Sequence, residues 1–128
     1  MNKKIIVDTS VWIEYFKNNS EVVSFIERHL LEDTVYLVGI IVSELIQGIK
    51  NEQEREMIRS NLDAINYIDM EFDDWVRTGD LSNKLRKNGL TIPLTDIAIA
   101  STAIENNLML ISRDKHFKQI PDLCMMEL

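Results

Sequence analysis

Cysteine, proline and glycine are all scarce in this chain, at one, two and four among 128 residues. The single Cys124 has no internal partner, so no disulfide framework holds the fold, which fits a reducing, cytoplasmic compartment. Lying in an apolar C-terminal stretch, it is expected to be a small buried hydrophobe. So few turn-formers exclude long irregular loops. No apolar run approaches the roughly 20 residues that span a bilayer, and no membrane partner is expected. The first eight residues carry two lysines but only a short apolar run before Asp8, too little for a signal peptide. Positive charge is also in deficit, with 14 Lys and Arg against 21 Asp and Glu and a net charge of −7. A protein that neutralises phosphates by itself carries the opposite sign. Either nucleic acid is not its partner, or something else supplies positive charge, and divalent cations would do so.

What is present is a globular balance, 45% apolar and 27% charged, without repeats, low-complexity tracts or linkers. Residues 1–128 therefore read as a single domain. Lys4–Val7 reads as a buried strand, followed by a helix over Ser10–Asn18 and a second helix after Ser20 as N-cap. Val35–Val38 is a strand, Gly39–Lys50 a mostly apolar helix, Glu52–Ala64 a charged amphipathic helix and Tyr67–Met70 a weak strand. Phe72–Asn88 is a long helix closed by Gly89. Thr95–Asn106 is a helix with Thr95 as N-cap, and Leu108–Ile111 a strand. Lys115–Gln119 forms a turn, and Leu123–Glu127 a last strand. Short apolar strands alternating with helices imply a parallel sheet covered on both faces. Right-handed crossovers then put every strand's carboxyl end on one edge, where open α/β folds bind ligands.

That edge collects four acids. Asp8 ends the first strand, and Asp114 follows the Leu108–Ile111 strand. Asp96 lies in the first turn of its helix, and Glu44 near the start of the helix after the second strand. Taken singly, Asp8 and Asp114 suit turns and Asp96 suits a helix dipole. Glu44 is harder to explain away, because it interrupts an apolar helix with no basic neighbour in sequence. Gly48, one turn on, suggests a close approach by another backbone or a ligand. Four converging carboxylates repel unless a cation joins them, and an all-oxygen set suits Mg²⁺ or Mn²⁺ rather than zinc. Such ions activate water and offset charge on a phosphate in the transition state. His29 reads as a surface residue. His116 either touches a phosphate or caps a turn, and Arg113 and Lys115 beside it are candidate contacts to a phosphate backbone.

Four segments occur in order: Val7-Asp8-Thr9-Ser10, Ser43-Glu44-Leu45-Ile46-Gln47-Gly48, Leu94-Thr95-Asp96-Ile97-Ala98-Ile99-Ala100 and Ile111-Ser112-Arg113-Asp114-Lys115-His116-Phe117. Together they resemble the successive motifs of PIN-domain ribonucleases, in particular VapC-type toxins of toxin–antitoxin pairs, and the likeness runs essentially end to end. The resemblance implies a three-layer α/β/α PIN-like domain with a central parallel sheet. It implies Mg²⁺- or Mn²⁺-dependent endonucleolytic cleavage of RNA, with Asp8, Glu44, Asp96 and Asp114 as the acidic cluster. Thr9, Ser10 and Ser112 would support the acids. A homodimer and a cognate antitoxin that blocks the site are also implied, with Trp12, Tyr15 and Phe16 as apolar residues for it to cover. A dehalogenase-like phosphatase would need an Asp where Ser10 stands, and a receiver domain would need an acidic pair at the end of the first strand. The remaining alternatives are a PIN-like binding module without catalysis and a nuclease acting on DNA.

Overall fold

Ile5–Val7 (β1) is buried at all three positions, as a strand covered on both faces must be. The computed structural model describes residues 3–128. After β1 come α1 (Thr9–Phe16), α2 (Ser20–Leu31), β2 (Val35–Val38), α3 (Gly39–Gln47) and α4 (Glu52–Leu62). The chain continues through β3 (Asn66–Ile68), α5 (Phe72–Lys87), α6 (Leu94–Glu105), β4 (Met109–Ser112), a 3₁₀ turn over Lys115–Gln119 and β5 (Met125–Glu127). The five strands form one parallel sheet in the order β3-β2-β1-β4-β5. This is the three-layer α/β/α arrangement expected from the alternation of apolar runs.

The strand order decides where a ligand fits. From β1 the chain steps outward to β2 and β3, then returns across to β4. Right-handed crossovers put the first two connections on one face of the sheet and the last two on the other. The packing agrees: α1 lies against α2 and α3, α3 against α4, and α5 against α6. The switch between faces falls between β1 and β4, whose register pairs Val7 with Ile111. Crevices of open sheets form at this point. There α3 and α6 also meet, although they belong to opposite layers.

Several local expectations are corrected. Asn19, not Ser20, caps α2, its side chain accepting from the Val22 N–H; both residue types cap well, and the choice is one of register. Helix α6 starts at Leu94 behind Pro93, with no side-chain cap, so Thr95 is inside the helix. Helix α3 stops at Gln47, and Gly48 is its C-cap with φ −88. A Cβ there would meet nothing in the chain nearer than 3.8 Å, so no other backbone of the described residues crosses at Gly48. Gly89 does have the left-handed φ of +81 that closes α5. His29 is buried, not on the surface: its ring packs on Phe25 and Nδ1 lies 2.9 Å from the Thr34 hydroxyl. Burial, and then Arg28, holds its pKa below the ordinary value. Cys124 is exposed, because the stretch around it meets the sheet only at its edge.

Candidate active site

Asp8 is the best-fixed of the acids. As the residue after β1 it is 7% exposed, and its backbone N–H donates to the Ile111 carbonyl of β4 at 2.9 Å. Its side chain then does two things at once. Oδ1 accepts from the Thr9 N–H at 2.9 Å, capping α1. Oδ2 accepts from the Ser112 hydroxyl at 2.9 Å and from the Ser10 hydroxyl at 3.3 Å. Ser112 ends β4 with no exposed surface, so this contact spans the switch point itself. The same hydroxyl accepts from the Asp114 N–H at 3.0 Å. One buried serine thus joins the first acid to the last.

Glu44, half-buried in the second turn of α3, makes no ion pair among the described residues. Its Oε1 accepts instead from the Thr9 hydroxyl at 2.7 Å. Thr9, Ser10 and Ser112 therefore all donate to acids of this edge. Asp96 lies in the first turn of α6, and its carboxyl is pushed above the ordinary range. Burial is the main cause; His116 pulls the other way, and the charges of Asp8 and Glu44 push it further up. The charges of both Asp8 and Glu44 therefore reach Asp96. Asp114 is more exposed, and its Oδ1 accepts from the His116 N–H at 3.1 Å.

His116 turns inward, which sequence reasoning missed. Its Nδ1 lies 2.7 Å from Asp114 Oδ1 and its Nε2 3.1 Å from Asp96 Oδ2. The Nε2 approach is close enough for electrostatic attraction yet lacks hydrogen-bond geometry, so this buried atom is left unsatisfied. The signal was the Asp114-x-His116 spacing, which brings the ring back across its own turn. Arg113 is also engaged elsewhere, with the Glu14 carboxylate and, at 2.8 Å, the Leu128 carbonyl. Of the three basic side chains considered for RNA, only Lys115 is exposed and without an ion pair among the described residues.

Among the described residues, no three His, Cys, Asp or Glu side chains are arranged to hold a metal ion as they stand. The contacts above give the physical reason: Glu44 is drawn to Thr9, while Asp96 and Asp114 are drawn to His116. The chemistry of the donors nonetheless fits a hard cation. The charges of Asp8 and Glu44 act against ionised Asp96, His116 is the one basic side chain paired with Asp96 among the described residues, and every carboxylate donor is oxygen. A groove of about 360 Å³ leads away from Glu44, floored by Ile13, Phe16, Leu45, Met57 and Ile58 and edged by Lys17 and Lys50. Trp12 does not reach it: the indole is 1% exposed, stacked on Phe16 and edge-on to Tyr15. Tyr15 and Phe16 are half-buried.

Fold and edge together define a class: three-layer α/β/α domains that gather carboxylates at the switch point of a parallel sheet. The chain belongs to the PIN-domain family, whose profile matches residues 5–123. It is 33% identical over 123 residues to Ribonuclease VapC1 of Methanocaldococcus jannaschii, covering 93% of this chain and 82% of that one. It is 32% identical over 98 residues to Ribonuclease VapC2 of Rickettsia felis, covering 73% of each. Its fold matches a chain in the crystal structure of VapBC2 from Rickettsia felis bound to a promoter DNA fragment, with a TM-score of 0.86 and 26% identity over 97% of this chain and 98% of that one.

Proposed function

We propose that this chain is a Mg²⁺- or Mn²⁺-dependent endoribonuclease, the toxin of a toxin–antitoxin pair, with Asp8, Glu44, Asp96 and Asp114 as its ion-holding acids. One observation carries the reading: the Asp96 carboxyl is raised partly by Asp8 and Glu44, at the switch point of a PIN fold. A half-buried carboxyl pushed up by two neighbouring carboxylate charges marks a place that favours a cation. A divalent cation there supplies Lewis acidity, activating water and offsetting the charge that grows on the phosphate.

The chain's own residues do the rest. Ser112, Ser10 and the Thr9 N–H fix Asp8, and the Thr9 hydroxyl fixes Glu44. His116 keeps Asp96 and Asp114 near each other until the site is filled. Lys115, exposed beside Asp114, is placed to meet the RNA backbone. The named relatives are ribonucleases, and the structural neighbour is a VapBC complex. By extension this chain works as a cytoplasmic homodimer held in check by a cognate antitoxin, and the apolar groove leading from Glu44 accepts that partner's segment. Trp12, buried in the core, takes no part.

The test is Mn²⁺ binding by calorimetry alongside RNA cleavage with Mg²⁺. Binding and cleavage are expected together, both abolished by chelator, and both reduced at least a hundredfold by Asp8→Asn in a folded protein. Cleavage that survives chelation or Asp8→Asn would refute the mechanism. Active protein that leaves growth unchanged on expression would refute the toxin role alone.

A further inference from the structure

Three consecutive residues at the end of β4, Ser112 to Asp114, each grip a different part of the molecule. Ser112 donates to Asp8, and the Asp114 N–H donates back to the Ser112 hydroxyl. Between them, Arg113 reaches two other partners. Its Nε donates to Glu14 Oε2 on α1, and its Nη1 to the Leu128 carbonyl beyond β5 at 2.8 Å. Glu14 is itself held in place. Its Oε1 accepts from the Asn19 side chain at 3.1 Å, and its carbonyl from the Asn19 N–H at 3.0 Å. Asn19 in turn caps α2. One guanidinium thus joins α1 and the start of α2 to β4 and β5, across the switch point. A lone exposed ion pair is worth little, but here the carboxylate is already fixed and the arginine is bound at two points.

Asp114 needs such an anchor. Asp8 is buried and takes three hydrogen bonds. The Asp114 side chain is 48% exposed, and among the described residues only His116 meets it. Its place is therefore set by its backbone. Two contacts hold that backbone to the sheet: the bond from its own N–H to Ser112, and the grip of Arg113 one residue earlier.

We propose that Arg113 is a positioning residue for the acidic site. Its hold on Glu14 and Leu128 sets where Asp114 stands relative to Asp8, and so how tightly the cluster takes a divalent cation. The inference rests on the ion-holding role of these acids in the proposed function. It also removes Arg113 from the candidate phosphate contacts, because its guanidinium is occupied inside the chain. The sign of the effect separates position from charge. Arg113 adjoins Asp114, so by charge alone its loss would tighten the hold on a cation. Loss of position loosens it.

Calorimetry with Mn²⁺ on the full chain distinguishes the two. Arg113→Met is expected to weaken Mn²⁺ binding by about tenfold, as the loss of supporting contacts at metal sites does. Glu14→Ala weakens it less, because the Leu128 contact remains, and the double variant loses no more than Arg113→Met alone. The KM for RNA at saturating Mn²⁺ stays at the parent's value. Both side chains are partly exposed, at 39% and 30%, so the variants keep the fold, which thermal unfolding checks. Arg77→Met breaks a comparable pair with Asp74 on α5 and is the control: it leaves Mn²⁺ affinity unchanged. If it weakened binding as much, the effect would be a general loss of stability and the proposal would fall. An Arg113→Met protein that binds Mn²⁺ as tightly as the parent, or more tightly, overturns the proposal and leaves the proposed function standing. Unchanged Mn²⁺ binding with a raised KM, its salt dependence lowered by about one phosphate contact, makes Arg113 an RNA contact and overturns it too. A parent chain that binds no Mn²⁺ overturns both.

Discussion

Replacing Ser112 by alanine removes one hydroxyl and two contacts from a place that water does not reach. Ser112 has no exposed surface, and it donates to Asp8 Oδ2 at 2.9 Å while accepting from the Asp114 N–H at 3.0 Å. A hydrogen bond to a charged group is worth about 1.5–3 kcal/mol, and the part-buried Asp114 N–H loses a neutral one worth about 0.5–1.5 kcal/mol. Asp8 Oδ2 keeps a longer bond from Ser10, at 3.3 Å, which returns part of the loss. A net destabilisation of about 2–4 kcal/mol follows, a large share of the roughly 5–15 kcal/mol that holds a domain. For a domain of this size that lowers Tm by about 10 °C. Urea and thermal unfolding of the metal-free protein measure it directly. Calorimetry with Mn²⁺ then shows whether the loosened Asp8 also binds the ion more weakly, as the same contacts require. Ser10→Ala is the comparison: its hydroxyl is exposed and its bond long, so it should cost under about 0.5 kcal/mol. If Ser112→Ala unfolded like the parent and bound Mn²⁺ equally well, the serine bridge would have no energetic reality.

Two further outcomes follow from the titrating groups. Asp96 has a raised pKa in the fold, so its contribution to stability is present below about pH 3.9 and lost as pH rises through the raised value. In metal-free protein at pH 7, Asp96→Asn therefore raises Tm while abolishing ion binding; His116→Ala, which removes the group offsetting that shift, lowers it. His29 has a depressed pKa, so its contribution is complete above about pH 6.5 and declines as pH falls through the folded value. Unfolding free energies between pH 7 and 5 should slope downward, and His29→Gln should flatten the slope; an unchanged slope would assign it to other groups.

The sheet was legible because its strands are short unbroken apolar runs, and Ile5–Val7 and Val35–Val38 have no other use for so many branched side chains in a row. Placing Asp8, Glu44, Asp96 and Asp114 at one edge needed only the handedness of crossovers. The misreadings share a different origin. Cys124 and His29 exchanged surface and interior because burial depends on which strand is terminal and which loop folds back, and neither has a local signature. Asn19 and Pro93 displaced the expected caps by a residue or two, where adjacent residues compete for similar geometry. The contacts that organise the site join positions far apart: Thr9 to Glu44 across 35 residues, Asp8 to Ser112 across 104. His116 escaped for the opposite reason. Its turn is local, yet only the arrival of α6 gives the ring its second carboxylate.

The distance from Asp8 to Ser112 also sets a clock. A ribosome adds about 5–20 residues per second, so about 5–20 s separate the synthesis of the two residues. From the synthesis of Glu44 onward, a growing chain contains Asp8, Thr9 and Glu44 but still lacks a complete β4. Asp8 then lacks both the Ile111 carbonyl that anchors its backbone and the serine that orients its carboxylate. A chain that cleaves RNA while still attached to its own message would destroy its template. For the ribonuclease proposed above, Asp8 is held in place only after Ile111 and Ser112 have been made, so the order of synthesis itself delays completion of the site.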